Sequence, residues 1–343
     1  MSITARAGDK SDRMRHIIEN VRSNEALYKD IEVVETKSYH ANASAQMPSK
    51  ALTGDVTKSR YVMQQGKLYS RMEEKGQTAG NSGIDRVSLL GFDGQYTRTR
   101  GGDTANVHEG KMNTCKIFQP HTWLLSHAHL CFPLSLYLDG DKAIATHPLA
   151  GAYANITVRC SFARSEEIDG LRCCKLVCEM CAKKSPPEPY AVRYVWLAED
   201  RNYLPIKAIG FQFGYSKDIP LESASASDFR EISPGIWLPF KRSLVVNDEF
   251  QAKKNQKTVV SNTEEELVEK AELDPRYGIE LFRDIPVSDA PVVYDVKDGK
   301  IIRTRITQNP HPAATHWAWY IPIVVLVLIA LGIGVRFFKK RNA

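Results

Sequence analysis

YVMQQGKLYSRM, residues 61–72, decides the fold. Two short runs rich in aromatic and aliphatic residues flank Gln65-Gly66, and a two-residue turn at that point pairs Met63 with Leu68, Tyr61 with Ser70, Gln64 with Lys67 and Val62 with Tyr69. Side chains alternate across a strand, so Tyr61, Met63, Leu68 and Met72 share one side and make it the greasier one. The unit is an antiparallel hairpin with one greasier side.

The same grammar repeats outward. RVSLLGF and QYTRTR flank Asp93-Gly94, a strong hairpin signal. Between residues 154 and 246 the runs ITVRCSF, LRCCKLVCEM, AVRYVWL, PIKAIGFQF, SASDFREI and GIWLPFKRSLVV, each bounded by Gly, Pro or charged pairs, read as an antiparallel meander. Helical spacing is confined to a few places. Met14, Ile17, Ile18 and Val21 form one apolar face behind a capping Ser11, with residues 1–10 polar and disordered. Residues 119–150 read as short helices broken at Pro133 and Pro148, and TEEELVEKAEL (263–273) as one more. DVKDGKII gives a last hairpin.

WAWYIPIVVLVLIALGIGV, residues 317–335, carries no charge. A helix of that length rises about 28 Å, close to the hydrocarbon thickness of a bilayer. Trp317, Trp319 and Tyr320 at one end, and Arg336, Lys339, Lys340 and Arg341 just past Val335, have the character of interfacial belts. The expected organisation is a disordered segment 1–10, a main domain 11–273, an extended neck with a hairpin 274–316, a transmembrane helix 317–335 and a basic tail 336–343. By the positive-inside rule the C-terminus is cytoplasmic and the large domain extracytoplasmic, in a single-pass protein of the cell membrane. The start MSITARAGDKSDRMRH holds no apolar h-region of a secretory signal. A start upstream of Met1 reconciles the two signals; export by another route, or a tail-anchored cytosolic body, are the alternatives.

Charge narrows the partners. The formal +6 includes four tail cations and no tail acids, leaving 42 cations against 40 acids elsewhere, a near-neutral +2. Nucleic acid is therefore not an expected partner. Of seven cysteines, four crowd into 173–181, where strand geometry sends Cys174 and Cys178 to one face and Cys173 and Cys181 to the other. Structural thiols are expected there, with disulfides as the alternative. His127, His129 and Cys131 would share a face only in a strand; the flanking leucines favour a helix, which scatters them. HExxH, GxSxG and GxGxxG are absent, and Gly110-Lys111 lacks both the preceding glycine and the following hydroxyl of a phosphate loop. No enzyme, metal or cofactor is implied.

Four stretches carry a resemblance: LYKDI (27–31), GFDGQY (91–96), WLAEDRNYLPIK (196–207) and FREISPGIWLP (229–239). Over residues 11–273 the chain resembles the bacterial lipoprotein-carrier fold, the LolA/LolB-like group, and in particular its membrane-linked relatives in planctomycete-type bacteria. The resemblance implies an α+β fold: a strongly curved antiparallel β-sheet, an incomplete barrel, covered on its concave side by helices over an apolar cavity that holds acyl chains in the carriers. Tyr61, Met63, Leu68, Met72, Ile236, Leu238 and Phe240 are the expected lining. Two functions follow as expectations. One is a membrane-anchored, non-enzymatic domain binding a lipid, lipoprotein or other apolar ligand; the other is a structural or regulatory protein–protein module at the membrane that needs no ligand.

Overall fold

The computed structural model describes residues 7–42, 55–78, 81–112, 118–128, 133–145, 155–183 and 189–306. Among them the first meander comprises β1 (Ile31–Ala41), β2 (Asp55–Gln64), β3 (Lys67–Thr78), β4 (Asn81–Phe92), β5 (Tyr96–Gly101) and β6 (Thr104–Glu109). The second comprises β7 (Ile156–Ile168), β8 (Leu171–Ala182), β9 (Pro189–Ala198), β10 (Leu204–Gln212), β11 (Glu222–Ser233), β12 (Ile236–Asn247) and β13 (Val260–Leu273). Each strand pairs antiparallel with the next, and β1 pairs antiparallel with β13, fusing the meanders into one curved, unclosed sheet. β14 (Val292–Lys297) and β15 (Lys300–Ile306) extend its far edge, β14 running parallel to β6.

This order explains the cover. The chain leaves β6 near one edge of the sheet and re-enters at β7, the opposite edge, so the connection has to travel across a face. It does so as a 3-10 segment, Pro120–Ala128, followed by the short helices α2 (Leu134–Asp139) and α3 (Asp141–Ile144). Pro133 precedes α2, and Gly140, at φ +87°, breaks α2 from α3. The first helix, α1 (Ala7–Glu25), packs beside them: Met14, Ile17 and Val21 meet Leu134, Tyr137 and Leu138 over Cys174, Leu176, Cys178, Val195 and Leu197. Arg13 pins α1 to the sheet through Glu199 at 2.6 Å. Because α1 begins at Ala7, Ser11 lies inside the helix and does not cap it.

The Tyr61–Met72 hairpin has the expected register, from Gln64 opposite Lys67 through Tyr61 opposite Ser70, turning at Gln65 and Gly66, both at positive φ. It is buried on both sides, however. Val62 and Tyr69 lie under Phe282 and Ile285 of a strap that crosses the outer face and contains α4 (Glu280–Arg283). Gly91 makes the close approach possible, since a Cβ there would stand 2.3 Å from the Phe282 carbonyl oxygen. The second hairpin turns one residue later than Asp93-Gly94: Phe92 faces Thr97, Gly94 takes φ +103°, and the Asp93 carboxylate accepts from the backbone N–H groups of Gln95 and Tyr96.

Two further expectations are corrected. TEEELVEKAEL is part of strand β13, with Glu264, Glu266 and Val268 buried and Glu265, Leu267 and Glu269 exposed. Its period is two; the glutamates that suggested a helix are held by cations across the sheet. The terminal hairpin does not stand off as part of a neck, because β14 bonds along β6. The apolar run 317–335, its flanking Trp317, Trp319 and Tyr320, and the tail 336–343 lie outside the described residues. Among the described residues no helix is long and apolar enough to cross a membrane.

Candidate functional site

Three of the four stretches quoted for the resemblance meet at one point. Asn202, in the turn between β9 and β10, holds φ +54°, which asparagine tolerates better than most residues. Its side-chain amide donates to Asn24 Oδ1 and to the Gly235 carbonyl, both at 3.0 Å, and its Oδ1 accepts from the Trp237 N–H at 2.8 Å. Its backbone carbonyl accepts from His121 Nε2 at 2.8 Å. Tyr28, just after α1, donates its hydroxyl to the Trp237 carbonyl at 2.5 Å and stands edge-on to the His121 ring. One turn thereby ties together the end of α1, the crossing segment and the β11–β12 hairpin.

Beside this junction a cavity of about 200 Å³ opens to the surface, lined by Glu25, Tyr28, Lys29, Met63, Phe118, Gln119, Pro120, His121 and Pro133. Its walls are mostly apolar. Glu25 closes one side, accepting from Ser135 Oγ at 2.5 Å and Ser135 N–H at 3.3 Å, and burial pushes its carboxyl up. Burial also lowers His121 to about 4, so the ring is neutral at pH 7 with its proton on Nε2, facing the Asn202 carbonyl. Behind Phe118 the floor continues as a buried apolar group: Ile31, Val33, Tyr61, Trp123, Leu204, Leu238, Phe240 and Val268. Phe118 stacks obliquely on both Tyr61 and Trp123.

Past Tyr61 the inner face turns from apolar to charged. Glu35 of β1, Arg242 of β12, and Glu264 and Glu266 of β13 are all buried, with Lys37 at their edge. Arg242, 1% exposed, faces Glu266 directly across the strands; its Nη1 is 2.7 Å from Glu266 Oε1 but misaligned for a hydrogen bond. Its Nε and Nη2 meet no acceptor among the described residues. Lys37 Nζ is 2.5 Å from Glu264 and 3.4 Å from Glu266. Burial, then the Glu266 charge, push Glu35 up to about 8 against the opposing pull of Arg242 and Lys37. With Glu35 protonated, two cations balance two carboxylates in a region where a surplus charge is costly.

Of the expected lining residues, Tyr61, Leu238 and Phe240 lie in the buried apolar group, and Met63 and Ile236 pack against it. Leu68 belongs to an adjoining group with Leu90 and Phe92, which Met63 also touches. Met72 is half-buried opposite Ser59 and joins neither. Only Met63 among the seven borders the cavity; Phe118 and Trp123 pack in the same buried group as Tyr61, Leu238 and Phe240. The five described cysteines are free thiols, Cys174 and Cys178 in the inner core and Cys173 on the other side with Trp196. His129 and Cys131 lie outside the described residues, and among the described residues no group of side chains is suited to a metal.

No family model and no curated protein matches the chain. It is similar to the solved structure of a DUF1329 family protein from Desulfovibrio piger, at 12% identity and a TM-score of 0.41, covering 79% of this chain and 97% of that one. It is also similar to a domain named for outer membrane lipoprotein sorting, from Vibrio parahaemolyticus, at 9% identity and a TM-score of 0.37, again over 79% and 97%.

Tyr28, Phe118 and Asn202 were not singled out by sequence reasoning, and His121 stood out only as a histidine near His127, His129 and Cys131. Tyr28 and Asn202 stood inside quoted stretches without an assigned role. Phe118 and His121 carry no local signal, because their position follows from the path between the two edges of the sheet.

Proposed function

We propose that this chain is a membrane-anchored, non-enzymatic domain that takes up an apolar ligand, a lipid or the acyl part of a lipoprotein, on the inner face of its sheet beneath the crossing segment. The observation that carries the reading is the apolar cavity at the rim, where Met63, Phe118 and Tyr28 lead from solvent onto a continuous buried apolar floor. Burying methylenes there releases about 0.8 kcal/mol each without requiring a polar contact. Ligand pockets commonly run from about 300 Å³ upward. Entry of a chain longer than a few carbons therefore requires Phe118 and Trp123 to move aside. In this reading the body formed by residues 7–306 is extracytoplasmic, the segment 317–335 spans the cell membrane, and the tail 336–343 is cytoplasmic.

The filled interior favours a second reading, a protein–protein module without ligand, since Phe118 and Trp123 already complete the core. Mass spectrometry of the full chain after exchange into lipid-free detergent separates the two. Under the first reading it retains stoichiometric lipid, and Met63→Trp, which fills the cavity mouth, lowers the retained lipid several-fold. A lipid-free chain supports the second.

A further inference from the structure

The three most exposed large apolar side chains among the described residues are on one strand: Ile301, Ile302 and Ile306 of β15, at 60%, 65% and 71%. Among the described residues β15 is the last strand of the sheet and pairs only with β14, so one row of its backbone groups meets no partner strand there. A bulge places Ile301 and Ile302 together opposite Val296, concentrating apolar surface at the tip of the hairpin. Edge strands ordinarily avoid such a face, and its exposure calls for an occupant.

Two observations select a bilayer. Ten residues, 307–316, separate Ile306 from the apolar run that begins at Trp317. Fully extended, they reach about 35 Å, so an anchored run keeps the hairpin close to the lipid surface. The hairpin 292–306 also carries four cations against two acids. Arg305 pairs with Asp295 and Lys297 with Glu109, whereas Lys300 and Arg303 have no ion pair among the described residues.

We propose that the β14–β15 hairpin rests on the membrane surface, Ile301, Ile302 and Ile306 entering the acyl boundary while Lys300 and Arg303 meet anionic headgroups. The contact fixes the orientation of the sheet above the bilayer, turning a tether into a two-point attachment. It rests on the anchoring of segment 317–335 set out above, but not on any ligand in the cavity. A trimmed or rearranged apolar edge would leave the domain free to tumble on its tether.

The test uses the full chain reconstituted in phosphatidylglycerol vesicles, with a photocrosslinking residue at position 302 or, as control, at exposed Leu267 of β13. Position 302 should give lipid adducts about tenfold above the control, falling several-fold in phosphatidylcholine vesicles or at high salt. Adducts joining two copies of the chain, or none above the control, overturn the proposal. Carbonate extraction distinguishes the levels of failure: a chain released from the vesicles sinks both the anchor and the hairpin contact, whereas a retained chain that does not label at 302 sinks the hairpin contact alone.

Discussion

At the scale of single residues, Asn202 and His121 carry the junction. Asn202→Ala removes three side-chain hydrogen bonds and puts a Cβ-bearing residue without a compensating side chain at φ +54°. At about 1 kcal/mol per bond plus about 1 for the backbone, a loss of 3–4 kcal/mol is expected in denaturant unfolding. His121 gives a pH signature. Its folded-state value, about 4, lies below the ordinary 6.5, so the unfolded chain binds the proton more readily. The stabilising contribution is complete above pH 6.5 and is lost as pH falls toward 4, amounting to about 3 kcal/mol. His121→Gln should flatten the stability profile between pH 6.5 and 4 relative to the parent chain. An unchanged slope would show that His121 is solvated in the folded protein.

At the scale of elements, β13 and the crossing segment matter most. Arg242→Met leaves Glu264 and Glu266 buried beside Lys37 alone and should cost about 3–5 kcal/mol, whereas Arg242→Met combined with Glu266→Leu should cost clearly less. Denaturant midpoints of the single and double variants read this directly; equal losses would mean that the two side chains do not interact. The sequence made the hairpin at Gln65-Gly66 legible because turn chemistry sets register locally. It concealed β13, where charged side chains occupy inward positions and alternation is visible only once Arg242 and Lys37 are placed opposite. The candidate lining was legible as an apolar face; its occupation by Phe118 and Trp123 was not, since only the route from β6 to β7 brings them there.

At the scale of the molecule, two meanders are fused through β1 and β13, the connection from β6 to β7 covers one face, and a cavity opens beside the Tyr28–Asn202–His121 junction. Under the proposed function, uptake of an apolar chain there requires the crossing segment to yield while the sheet does not, and the bond from His121 Nε2 to the Asn202 carbonyl is one tie it would have to loosen. The most direct measurement is photolabelling of the full chain with a diazirine-bearing fatty acid, followed by peptide mapping. Peptides containing Met63, Phe118 and Tyr28 should carry the label, and Met63→Trp should reduce it. Label confined to residues 317–335, or no label at all on the inner face, would contradict the proposed uptake.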